Sequence, residues 1–114
     1  MSPRPTADKC VFDVQELSRF ELRMDGELMG FCDYEPRRLP VRLVFPHVEV
    51  NPRHRGRGLA SRLVHAAAVD VRARGGLIDP VCTFARAFFR KNPEFADVVL
   101  VPPVDPLLTG LERY

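Results

Sequence analysis

Residues Phe45–Ala60, FPHVEVNPRHRGRGLA, join a strand-like segment to a helix-like one through a loop of arginines and glycines. The first six continue Val41–Val50, in which Leu43, Val44, Phe45, Val48 and Val50 are β-formers. Pro46 interrupts that run. It has no N–H to give, so the strand is expected to be bulged, or unpaired on one side, at that point. From Gly58 the period changes. Leu59, Leu63, Ala66, Ala67 and Val71 recur on one face of a helix predicted over Gly58–Arg74, with Gly75-Gly76 as its stop. A strand end, a turn and a helix start at one point bring free helix N–H groups and the positive end of the helix dipole together. Arg53, Arg55 and Arg57 add charge, and Gly56 and Gly58 let backbone amides approach an anion with no Cβ in the way. The chemistry predicted for this stretch is phosphate binding.

Working outward from it, period two dominates upstream. Val11–Gln15, Arg19–Met24 and Glu27–Tyr34 read as strands, and Asp25-Gly26 between the last two is a hairpin signal. Residues 1–9, with Pro3 and Pro5, read as a disordered lead-in, and Glu35–Pro40 (EPRRLP) as a loop. Downstream, Leu77–Val81 is a short buried strand. Thr83–Lys91 is a second helix with Phe84, Ala87 and Phe88 inward, stopped before Asn92-Pro93. Asp97–Val101 is read as a further strand, and residues 102–114 as a Pro-containing tail. The order β-β-β-β-α-β-α describes a small α/β (α+β) domain over residues 10–101, with a mixed, mostly antiparallel sheet and two main helices.

Composition narrows the function. A chain of 114 residues is sized for one domain. Seventeen Lys and Arg against fifteen Asp and Glu leave a formal charge of +2, too small for a dedicated nucleic-acid binder, and no Trp is present for base stacking. Fifteen of the cations are arginines, and Arg53, Arg55, Arg57 and Arg62 fall within ten residues, which keeps a local anion site in view. Cys10, Cys32 and Cys82 are odd in number and lack C-x-x-C spacing, so neither a disulfide framework nor a metal site is expected, and a cytoplasmic setting is. No run reaches the roughly 18 apolar residues of a membrane span, so no membrane partner is expected.

Two phosphate motifs fail on spelling. The P-loop needs Gly-Lys followed by Ser or Thr, and the dinucleotide fingerprint needs a third glycine where Ser61 stands. Arg53-x-x-Gly56-x-Gly58-x-Ala60, however, resembles the acyl-CoA pyrophosphate signature of the GNAT superfamily of N-acetyltransferases. HVEV before the loop, RGRGLASRLV through it and PVCTFARAFFRKNPEF after the next strand are similar to the small YjdJ-type branch. That branch typically spells these His-Thr-Glu-Val, Arg-Gly-x-Gly, then Pro-x-Cys-x-Phe and His-Pro-Glu-Tyr. The likeness runs from about Val11 to Val99.

The resemblance implies acetyl-CoA as cofactor and an amine as acceptor. Backbone groups of Val48 and Val50 would meet the pantetheine arm where their strand splays from Leu77–Val81. Arg53, Arg55, Gly56, Arg57 and Gly58, with the amides of Leu59 and Ala60, would hold the pyrophosphate. Phe88 and Asn92 would flank the other side. His47 and Glu49, two apart on one strand, project from one face, read here as the face of Leu43 and Phe45, and either is a candidate general base. Cys82 precedes a helix, where the dipole favours a thiolate. The branch has a cysteine there, so an acetyl-cysteine route joins direct transfer as a candidate.

Three positions depart from the branch. Phe88 stands for a usual Tyr, Asn92 for the His of His-Pro-Glu-Tyr, and Phe95 for its Tyr. These losses keep a non-enzymatic acyl-CoA-binding module as the alternative reading. Only Glu16–Ser18 separates the first two strands, where ordinary GNAT enzymes insert helices that wall the acceptor pocket. An open acceptor side is therefore expected, suited to a protein, peptide or loosely held small amine. Oligomeric state is not specified by the sequence.

Overall fold

The computed structural model describes residues 3–37 and 42–100. Six strands form one sheet in sequence order: β1 (Arg4–Pro5), β2 (Val11–Val14), β3 (Arg19–Met24), β4 (Glu27–Arg37), β5 (Arg42–Val50) and β6 (Leu77–Pro80). The first five pair antiparallel and β6 runs parallel to β5. Helix α1 (Leu59–Ala73) makes the crossover between those two strands, and α2 (Thr83–Lys91) follows β6. The mixed, mostly antiparallel sheet with two helices is the fold class that the sequence predicts.

Local chemistry accounts for the elements. Asp25 and Gly26 both sit at positive φ (51° and 78°), the two-residue turn that matches strand twist, so β3 and β4 close with Met24 opposite Glu27. Phe20, Phe45 and Phe95 are fully buried with Leu22, Leu63, Val64 and Ile78, and α1 offers Leu63, Ala67 and Val71 to this core. Removing one of the buried phenyl rings costs about 3–5 kcal/mol.

Several boundaries differ from expectation. Residues 4–5, read as part of a disordered lead-in, form β1 against β2, with Arg4 opposite Asp13. The Arg4 guanidinium donates to Asp13 and Asp70, two carboxylates that are buried, and the Tyr34 hydroxyl donates to Asp13 at 2.7 Å. A charged anchor therefore orders a segment whose composition signals none. Glu35–Arg37 extend β4, whereas residues 38–41 lie outside the described residues, as does the tail 102–114. Of the last expected strand, Asp97–Val101, the described residues 97–100 contribute one parallel bridge, between Ile78 and Val99, and Val101 lies outside them.

Candidate functional site

Pro46 shapes the site. In the β4–β5 ladder Asp33 faces His47 and Glu35 faces Val44, so Phe45 and Pro46 together oppose Tyr34 in a bulge. The parallel pairing of β5 with β6 ends at the same place, on Phe45 opposite Pro80. Val81 and Cys82 then both donate their N–H to the Phe45 carbonyl, at 3.1 and 2.9 Å, and the chain turns into α2. Beyond that knot residues 46–50 have no β6 partner. Asn51 N–H donates to Met29 O at 2.8 Å. Counting back by the alternation of an antiparallel ladder, the backbone groups of Val48 and Val50 point away from β4, into the open edge.

The bulge also corrects the sequence reading. One inserted residue reverses the side-chain phase, so Leu43 and Phe45 lie in the core and Val48 and Val50 pack against it. His47 and Glu49 therefore stand on the opposite face from Leu43 and Phe45, not on the same one. They are 53% and 56% exposed, with His47 Nε2 2.9 Å from the Glu49 carboxylate. Phe31 borders them, its ring 6.0 Å from that of His47 and capped by the Arg19 guanidinium at 4.6 Å.

A continuous groove follows the open edge. One part, about 410 Å³, is lined by His47, Val48, Glu49, Val50, Pro52, Arg55, Ala60 and Phe84. The other, about 260 Å³, is lined by Val50, His54, Arg55, Gly56, Gly58, Leu59, Ala60, Ser61 and Phe84. Gly56 and Gly58 take φ of 82° and 71°, and a Cβ at either would point into open space. Gly58 is the N-cap of α1, and no side chain among the described residues caps that end. Its first amides are thus left to face the groove, an arrangement that suits an anion.

The arginines divide unequally. Arg55 lines both parts of the groove. Arg53 turns to Glu27, 3.7 Å away. Arg57 is exposed and lines neither part. Arg62, counted in the cluster on sequence spacing, is held bidentately by Asp8 at 2.7 and 2.9 Å.

Phe88 and Asn92 do not line the groove. Phe88 is buried against Phe89 and Phe95, and Asn92 closes α2 by donating its side-chain amide to Phe88 O at 2.8 Å. Phe84, one turn earlier and 37% exposed, takes that flank. The inward sector of α2 is centred on Ala85, Phe88 and Phe89, which leaves Phe84 at its edge and Ala87 only half-buried. That sector was legible only as a helical repeat of phenylalanines, which does not say which of them faces out. His54 and Ser61 are further lining residues without a prior signal beyond their place in the loop.

Cys82 is the N-cap of α2, half-buried at the closed end of the splay and outside the groove lining. Cys32 lies opposite Val48 in the core, where burial raises its thiol far above the ordinary range and keeps it protonated. Cys82, half-buried, is the more accessible of the two. Between β2 and β3 stands only the short turn Gln15–Leu17, so no helix walls the exposed face of His47 there. Among the described residues no helix is long and apolar enough to cross a membrane. The geometry fits an elongated ligand with a phosphate-bearing end at the glycine loop and an amide-bearing arm along β5.

The family model described as GCN5-related N-acetyl-transferase matches residues 19–98, well over half of the chain. No curated protein matches. Among solved structures, a ribosomal-protein-alanine N-acetyltransferase from Brucella melitensis biovar Abortus 2308 is similar at 19% identity. That match covers 87% of this chain and 70% of that one, with a TM-score of 0.48.

Proposed function

The chain belongs to the GCN5-related N-acetyl-transferase family, and from that premise we propose that it moves an acetyl group from acetyl-CoA to an amine through Cys82. The observation that carries the reading is the uncapped N-terminus of α1, with Gly56 and Gly58, set beside the unpaired edge of β5. Acetyl-CoA supplies a thioester, an acyl group activated for attack by a thiolate or amine.

Each residue takes one task. The loop amides from Gly56 to Ala60 and the Arg55 guanidinium hold the diphosphate. Val48 and Val50 offer backbone hydrogen bonds to the pantetheine amides, as an added strand would, while Phe84 packs on its apolar side. The Cys82 thiolate attacks the thioester carbonyl. The new S–C bond forms as the bond to the CoA sulfur breaks, and the departing thiolate takes up the proton that the cysteine gave. An amine then attacks the acetyl-cysteine, and Cys82 leaves as thiolate. Glu49 accepts from His47 Nε2, which leaves Nδ1 as the nitrogen that takes the amine's proton.

The spelling of HVEV, RGRG, PVCTF and NPEF, with no helix between β2 and β3, supports a place in the small YjdJ-type branch. The exposure of His47 and Glu49 supports an open acceptor side, reached by a protein or peptide amine or a small amine. A reducing compartment such as the cytoplasm keeps Cys82 a thiol. Nothing in this proposal requires Phe88 or Asn92 to act, since both are turned inward.

The test is intact-protein mass spectrometry after incubation with acetyl-CoA, followed by peptide mapping. A single acetyl adduct on Cys82, discharged by added amine, is the expected result. CoA binding without any adduct on Cys82 removes the covalent route. If acetyl transfer to amines is then also missing, the chain is a binding module for acyl-CoA.

A further inference from the structure

His54 occupies an unusual place in the glycine loop. It closes the turn Pro52–His54, its own N–H donating to Asn51 O at 2.9 Å, and its side chain is 14% exposed. Nε2 lies 3.2 Å from the Glu27 carboxylate of β4. An ionised carboxylate only accepts, so Nε2 carries a proton and the tautomer is fixed. Among the described residues Nδ1 is buried and has no hydrogen-bond partner. His54 is nevertheless one of the residues lining the pocket, with Gly56, Gly58 and Ser61.

A buried ring nitrogen without a partner is an incomplete arrangement. In the neutral ring Nδ1 is an acceptor with no donor in reach among the described residues, an unfavourable state for a buried polar atom. In the protonated ring it is a donor, and the ring's positive charge lies beside the pocket that His54 helps to line. The charged groups around it are Glu27 on β4 and Arg53 and Arg55 on its own loop. From α1 and α2 the pocket receives Leu59, Ala60, Ser61 and Phe84, none of them charged. Glu27 favours the imidazolium and the two arginines oppose it. An anion entering the pocket neutralises the arginines' influence and adds its own attraction for a third positive charge.

We propose that His54 is a proton-linked positioning residue of the anion site: anchored by Glu27 through Nε2, its ring takes a proton from solvent at Nδ1 when a phosphate group enters the glycine loop. This rests on the cofactor reading above. It deepens that reading by making affinity for the diphosphate rise as pH falls, and it gives Glu27 the task of holding the ring. By linkage, a favourable shift of one pH unit in the bound state makes binding about tenfold tighter on the acid side than on the alkaline side.

The probes are CoA and inorganic diphosphate, titrated calorimetrically into the full chain between pH 6 and pH 8, in two buffers of different ionisation enthalpy. Both probes bear titrating phosphates, so the quantity read is native protein minus His54→Gln. The expected result is greater proton uptake by the native protein, up to about half a proton per chain at its maximum between pH 6 and pH 8. Its affinity advantage over His54→Gln should grow about three- to tenfold from pH 8 to pH 6. Glu27→Gln, which leaves the ring in place, should lose most of the proton uptake. Equal proton counts and a pH-independent affinity ratio overturn the role of His54 while leaving CoA binding standing. If the native protein binds neither probe, the cofactor reading falls and this inference with it. Should His54→Gln fail to fold, Glu27→Gln decides by the same proton count.

Discussion

The amide of Cys82 donates to the carbonyl of Phe45 at 2.9 Å, tying the start of α2 to the last residue of β5 that still pairs with β6. Because this bond uses the backbone, Cys82→Ala keeps it. The substitution removes only a half-buried sulfur, which costs about 1 kcal/mol of stability. Thermal unfolding should move by a few degrees at most and CoA affinity should stay within about twofold, while acetyl labelling of the protein disappears. A collapse of the fold in Cys82→Ala would make the thiol a packing group.

His47 and Glu49 stand together on the solvent side of β5. Replacing either with Gln should leave the melting temperature unchanged, because both side chains are more than half exposed. Amine acetylation should slow by about 100- to 10,000-fold in His47→Gln, the range for loss of a general base, and by less in Glu49→Gln, which keeps the imidazole. Rates measured against pH check this: His47→Gln should flatten the rise of the native profile. A rate equal to native in both variants would place proton removal elsewhere.

Asp8 is held below the usual carboxylate range chiefly by its hydrogen bond from Arg62, helped by the Cys10 amide and opposed by burial. A carboxyl depressed in the folded state contributes stability above its unfolded value of about 3.9, and loses it as pH falls through the lower folded value. Asp8→Asn should therefore destabilise the protein most near neutrality, and by less as pH falls below the unfolded value and through the lower folded one. Denaturant unfolding at pH 7 and pH 3 reads this. An equal difference at both values would show that the pair contributes through packing alone.

Arg4 is the one residue of β1 that reaches both buried carboxylates, Asp13 and Asp70. Arg74 also lies near both, 3.7 Å from Asp13 and 3.2 Å from Asp70. Because Arg74 remains, Arg4→Ala should cost about 1–3 kcal/mol instead of unfolding the chain. Acetyl-CoA binding should be unaffected. Calorimetric melting with and without CoA separates the two quantities, and an equal melting temperature would show Arg74 to be sufficient.

Much of the fold was legible because period and punctuation agree. Asp25-Gly26, the helical stripe after Gly58 and the Gly75-Gly76 stop each mark a boundary that the structure keeps within a residue or two. Pro46 announced a bulge, but its consequence for His47 and Glu49 was hidden, since one inserted residue reverses every side chain that follows. Long-range pairs were equally silent. Nothing near Arg4 or Asp8 in the sequence indicates Asp70 or Arg62, so an ordered β1 was out of reach. The glycine loop was readable as a candidate anion site, whereas the division of labour among its arginines depends on Glu27, more than twenty residues upstream. Phe84 and Phe88 lie four residues apart on one helix, and only the packing of Phe95 against Phe88 decides which of them is left to face the groove.

The central claim is that the glycine loop and the open edge of β5 bind acetyl-CoA, and a calorimetric titration of CoA into native protein and Gly58→Val tests it most directly. Gly58 holds φ at 71°, which a β-branched residue adopts at a cost of about 1–2 kcal/mol, and its Cβ would point into open space. The variant should thus fold, with its side chain standing where a phosphate must approach. The expected result is one CoA per native chain and an affinity at least about tenfold weaker in Gly58→Val. Equal affinity in the two proteins, or no binding to the native chain, would contradict the assignment of the phosphate site.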